Sequence, residues 1–125
     1  PDDVLTLLFL CAHPAVDLRA VTVTPGSEAQ VALVRWLLQR TGMAHVRLGA
    51  QDWPRNAAKP VNLGTLFYQE FGRAPRGDPP CERADRVLLE CCDESATLVT
   101  GAPLHNLGDA LALGGLRLGR WVAQG

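Results

Sequence analysis

At 125 residues, with 47% hydrophobic and 20% charged side chains, the chain has an ordinary globular composition and the length of one compact domain or part of a larger one. A formal net charge of −1 gives no broad attraction to nucleic acid or to an anionic membrane, and 6% aromatic residues are too few for a base-stacking surface.

The chain opens on Asp2-Asp3 and an apolar run, Val4–Ala12. The run is apolar on nearly every side and reads as a buried helix, with carboxylates in its first turn suiting the helix dipole. Acidic rather than basic residues precede it, and it is too short to span a bilayer, so neither a signal peptide nor a membrane anchor is read here. His13-Pro14 ends it. Leu18–Thr24, with Val21 and Val23 alternating with threonines, predicts a short strand that Pro25-Gly26 breaks. Ser27 starts a second helix, with Gln30 three residues on as its capping-box partner. Val31, Val34 and Leu38 share one face of that helix, and Gly42 closes it.

His45–Leu48 predicts a second strand. Residues 49–80 hold five prolines and four glycines and read as a long loop with a short helix around Leu63–Phe71. Ala84, Val87, Leu88 and Cys91 then mark a further helix by their spacing. Thr97–Thr100 predicts a buried strand ending in Gly101-Ala102-Pro103, Asn106–Leu113 a helix and Arg120–Ala123 a last strand. Strands alternating with helices specify an α/β fold with a parallel, Rossmann-like sheet and helices on both faces. The chain reads as a single unit, residues 1–125.

Ligands of such folds bind beyond the carboxyl ends of the strands. Pro25-Gly26-Ser27 and Gly101-Ala102-Pro103 sit at such ends, and Asp2-Asp3 does so too if a strand precedes Pro1. Asp2-Asp3 offers adjacent carboxylates to a hard cation such as calcium, against the simpler role of acidic residues at a helix start. Ser27 offers a hydroxyl to a polar ligand, but alone it reads as a helix cap. The turn Thr100–Asn106 exposes backbone carbonyls, with Asn106 as a cap and His105 as a surface residue or a support behind the site rather than a base. Cys11, Cys81, Cys91 and Cys92 have no CxxC spacing, so they read as free thiols, buried or half-exposed, rather than as a zinc site. Reduced thiols suit a cytoplasmic protein. No GxSxG, P-loop or GxGxxG element is present.

Taken in order, these segments resemble the inosine-uridine-preferring nucleoside hydrolase family. Pro1–Leu7 is similar to the end of its aspartate-rich first motif, and Val21–Ser27 to its second strand and Gly-Asn turn. Val46–Ala50 is similar to a strand ending in Gly-Ala, Leu98–Leu107 to its Gly-Pro-Leu-Thr-Asn-Leu segment, and Trp121–Gly125 to the strand before the active-site centre.

The resemblance implies the N-terminal portion of an enzyme that hydrolyses the N-glycosidic bond of ribonucleosides, with a calcium-bound water as attacking group and an oxocarbenium-like transition state. It implies Asp3, Asp2 and the carbonyl of Gly101 as metal ligands, and Asp2 and Ser27 as ribose contacts. Ser27 stands where the family commonly has asparagine, and Ala102 and His105 replace the usual Gly and Thr. The family's general-base aspartate falls upstream of Pro1, and its later asparagines, glutamate and His-Asp pair fall beyond Gly125. The expectation is that the 125-residue chain alone does not turn over nucleosides, and that its exposed edge makes it associate. The implied partner is a small ribonucleoside, with neither nucleic acid nor membrane, and a homo-oligomer of the complete protein. The alternatives are a degenerate homologue that binds nucleoside or ribose without cleaving it, and a generic α/β interaction module.

Overall fold

The computed structural model describes residues 2–51, 81–101 and 103–124. In chain order the elements are α1 (Asp2–Ala12), β1 (Ala20–Val23), α2 (Glu28–Arg40), β2 (Arg47–Ala50), β3 (Glu82–Arg83), α3 (Ala84–Cys91), β4 (Thr97–Thr100), α4 (His105–Leu113) and β5 (Arg120–Ala123). The predicted loop at 49–80 and its helix at 63–71 lie outside the described residues from 52 to 80; Gly49 and Ala50 belong to β2.

All strand pairing among the described residues is parallel, and it falls into two pieces. One sheet has the order β1-β2-β3 and the other pairs β4 with β5. β1 and β2 are in register from Ala20 against Arg47 to Val23 against Ala50. β4 and β5 run from Thr97 against Arg120 to Thr100 against Ala123.

The two helical layers follow from the pleat of β1 and β2. Val21 and Val46 point to one face, where Leu7 and Cys11 of α1 meet Leu37 and Leu38 of α2 to form the main core. Gly49 points to the other, where α3 lies so close that a Cβ on Gly49 would stand 2.8 Å from the Ala84 Cα. The absent side chain lets α3 seat Val87 and Leu88, both buried, against the sheet.

Local signals account for the helix ends. Ser27 and Gln30 make the full capping box: the Gln30 amide donates to Ser27 Oγ (3.3 Å) and the Ser27 amide to Gln30 Oε1 (2.9 Å). At the other end of α2, Gly42 has a φ of 77°. Its amide donates to the Gln39 carbonyl and that of Met43 to the Leu38 carbonyl, the paired bonds of a Schellman turn.

Three expectations are corrected. α1 is a helix but not a buried one: Leu7 and Cys11, four residues apart, face the core, while Leu5 and Phe9, also four apart, are 67% and 61% exposed. An all-apolar run carries no phase, so the covered side is set by what packs on it. The second strand begins two residues later than expected, because the turn from Met43 consumes His45 and Val46. Val46 is nonetheless buried. The strand at Thr97–Thr100 is not buried either: Thr97 and Val99 are exposed.

Candidate functional site

The carboxyl ends of β1 and β4 and the start of α4 enclose a groove. Thr22, Thr24, Thr100 and Gly101 line its polar part; Leu88, Leu104 and Leu107 are among its apolar walls. A turn from Thr24 to Gly26 closes the end of β1. There Gly26, at a φ of 81°, leaves no room for a Cβ, which would fall 2.8 Å from the Ala50 Cβ.

Asp3 reaches this end of the molecule. Its Oδ1 lies 3.3 Å from where a Cβ on Gly101 would be, and Gln124 Oε1 lies 3.6 Å from the same point. Glycine at 101 therefore keeps a small space open between a carboxylate oxygen, an amide oxygen and the backbone that follows β4. Gln124 is carried there by β5, whose register is extended by the Gln124 amide donating to the Thr100 carbonyl at 2.9 Å. Asp2 and Asp3 are exposed in the first turn of α1.

Calcium takes about six to eight oxygen ligands from carboxylates, carbonyls and amides. Carboxylates at Asp2 and Asp3, the Gly101 carbonyl and Gln124 Oε1 are donors of that chemical kind. No cluster of three or more His, Cys, Asp or Glu forms among the described residues, so this set on its own falls short of a full calcium shell.

Ser27 is 7% exposed, and its amide and hydroxyl both bond to Gln30. It works as the helix cap that its spacing predicted. It is not among the residues lining the groove, whereas Thr24, three residues earlier, is. His105 is exposed at the start of α4.

Asn106 departs from expectation. It is not the cap of α4, a position held by Leu104; it lies inside the helix and is 6% exposed. Its Nδ2 donates to the Val23 carbonyl at 3.2 Å, and its Oδ1 is buried with no hydrogen-bond partner among the described residues. Nothing in local spacing could distinguish a cap from a side chain that crosses to another strand. The threonines Thr22, Thr24 and Thr100 likewise carry no local signal that sets them apart from ordinary strand residues, yet all three line the groove. Thr100 Oγ1 accepts from the Trp121 indole at 3.0 Å.

Two of the three strongest electrostatic groups lie at the amino ends of the strands, and the third, Arg83 with Asp85, lies where β3 passes into α3. Arg47 donates to Glu82 and Glu90, which raises its pKa further, and Arg47 in turn lowers that of Glu82. Asp93 is held well below the usual carboxylate range, first by Ser95 and then by Arg19, whose Nη1 donates to it at 2.8 Å. Asp85, buried in the first turn of α3, is lowered by Arg83 and by the Arg86 amide against the opposing effect of burial. None of these charged residues lines the groove. The four cysteines are free; Cys11 is buried, Cys91 and Cys92 half-buried and Cys81 exposed. Burial pushes the Cys92 thiol pKa up, which leaves it a poor nucleophile.

No helix among the described residues is long and apolar enough to cross a membrane. A scan against models of known protein families matches none, and a search of curated proteins finds no relative of this chain.

Proposed function

We propose that this chain is the N-terminal portion of a ribonucleoside hydrolase with a Rossmann-like fold, and that Asp2, Asp3 and Gly101 form part of its calcium site. The observation that supports the reading most is the approach of Asp3 to Gly101, two residues far apart in sequence, at the carboxyl end of the sheet. That is where ligands of parallel α/β folds bind.

When bound, calcium would favour deprotonation of an attacking water and would orient the ribose diol. The chain's own part is positional. Asp3 and the Gly101 carbonyl present oxygens to the cation, and Asp2 accepts hydrogen bonds from the ribose hydroxyls. Thr22, Thr24 and Thr100 give the adjoining groove a polar lining, and Leu104 and Leu107 give it an apolar wall. The general base of this reading is not among residues 1–125.

A second reading, a homologue that binds nucleoside or ribose without cleaving it, is favoured by one observation. Ser27, which the resemblance makes a ribose contact, is buried and engaged with Gln30.

The test has two parts. Ribose release from a nucleoside panel is measured for the longer natural protein containing this segment, with and without a chelator. Calcium binding to the same protein is titrated with Asp3→Asn beside it. Chelator-sensitive release, and an affinity weakened by about tenfold or more on loss of one charged ligand, are expected. Nucleoside binding without release selects the second reading; no release, no nucleoside or ribose binding and an unchanged calcium affinity overturn both.

A further inference from the structure

Gly101 has no backbone reason to be glycine. Its φ is not positive, unlike those of Gly26 and Gly42. Nor does a neighbouring backbone crowd it, as Ala84 crowds Gly49. Among the described residues, its chain neighbours apart, a Cβ at 101 would meet two atoms within 4 Å, and both are side-chain oxygens: Asp3 Oδ1 at 3.3 Å and Gln124 Oε1 at 3.6 Å. What glycine provides here is room between two oxygens.

Those oxygens arrive from distant parts of the chain. Asp3 comes from the first turn of α1, and Gln124 directly follows β5. The Gln124 amide donates to the Thr100 carbonyl, which sets Gln124 beside Gly101, one step past the Thr100–Ala123 pair. The Gln124 side chain presents its oxygen to the space, and its amide nitrogen stays more than 4 Å from the same point. Neither oxygen accepts a hydrogen bond within the described residues. A carboxylate and an amide oxygen are both acceptors, so a group between them has to be a cation or carry two donors. Calcium accepts glutamine oxygens alongside carboxylates and backbone carbonyls.

We propose that Gln124 is a neutral oxygen ligand of the cation held by Asp3, and that residue 101 is glycine so that the cation fits between the two. The proposal rests on the reading of Asp3 and Gly101 as part of a calcium site, and it adds to that site a ligand without charge. Calcium affinity follows the charge count and the rigidity of the ligand set. An amide at 124 therefore fills a coordination position while holding the affinity below that of a carboxylate placed there. The bond from the Gln124 amide to Thr100 supplies the rigidity, because it fixes the backbone that carries the ligand.

The test is a calorimetric titration with calcium of the longer natural protein containing this segment, with Asp3→Asn, Gln124→Ala, Gln124→Glu and Gly101→Ala beside the parent. Gln124→Ala weakens binding by about threefold to tenfold, and Gln124→Glu, which puts charge at the same position, tightens it by about tenfold. Gly101→Ala weakens binding because its methyl occupies the space. Thermal melts without calcium match the parent for the Gln124 variants, and the rise in Tm on adding calcium changes in step with affinity. Should Gly101→Ala fail to fold, the two Gln124 variants decide the matter alone. If Asp3→Asn weakens binding while Gln124→Ala and Gln124→Glu bind like the parent, the inference is overturned and the calcium-site reading stands. A folded Gly101→Ala that binds like the parent, or a Gln124→Glu that binds more weakly, overturns it in the same way. If Asp3→Asn also leaves binding unchanged, both the inference and the calcium-site reading fall.

Discussion

Gly49→Ala and Gly108→Ala are the same chemical change with opposite expected signs. At position 49 the new methyl would lie 2.8 Å from the Ala84 Cα, 3.0 Å from Val87 Cγ2 and 3.2 Å from Val87 Cβ. Ordinary carbon contacts are about 3.5–4.0 Å. α3 must therefore retreat by roughly 0.5–1 Å, and Ala84 and Val87, 2% and 0% exposed, have no slack to absorb it. Overpacking of this kind costs about 1–3 kcal/mol. Because α3 contacts both β1 and β2 and also α4, the strain spreads to the groove that α3 underlies. At position 108, inside α4, nothing lies within 4 Å of the added methyl. There alanine stabilises by about 0.5–1 kcal/mol, through the lost backbone freedom of glycine in the unfolded chain. Urea denaturation of the two variants beside the parent measures both, read at constant m-value. If Gly49→Ala is as stable as the parent, or if Gly108→Ala is the more damaging change, the packing of α3 on β2 described above is wrong.

Other consequences are open to equally direct measurement. Ser27→Ala removes a complete capping box and should cost about 1 kcal/mol of stability in the same assay, whatever Ser27 does for a ligand. The folded-state pKa of Asp85 is lowered, so its stabilising contribution is present above the unfolded value of about 3.9 and is lost as pH falls through the lower folded value. Asp85→Asn should flatten the acid limb of a stability-against-pH curve; an unchanged limb would show that the Arg83 pairing carries no weight. β5 presents Trp121 and Val122, 50% and 47% exposed, on a strand paired on one side among the described residues. Sedimentation velocity should show concentration-dependent association that Val122→Lys reduces.

Signals local to the chain are legible in the sequence. The Ser27–Gln30 spacing specified a capping box and Gly42 the end of the helix, because both signals are made entirely by neighbouring residues. The Ala84, Val87, Leu88 and Cys91 spacing marked the helix α3, since a single apolar stripe fixes the phase of a helix. Alternation of strands with helices implied parallel pairing, and each described pair is parallel. The candidate ends of the strands followed from the same alternation, but not which of them meet.

Tertiary structure decided what depends on residues distant in the chain. It chose Leu7 and Cys11 over Leu5 and Phe9 as the covered side of α1, a choice an all-apolar run leaves open. It brought Asp3 and Gln124 to Gly101 while leaving Ser27 with its cap. It made Asn106 a bridge to Val23 rather than a cap, and it divided the described strands into two sheets that do not pair with each other. Each of these outcomes depends on which edges and faces find a partner, and partners distant in the chain leave no mark in local spacing.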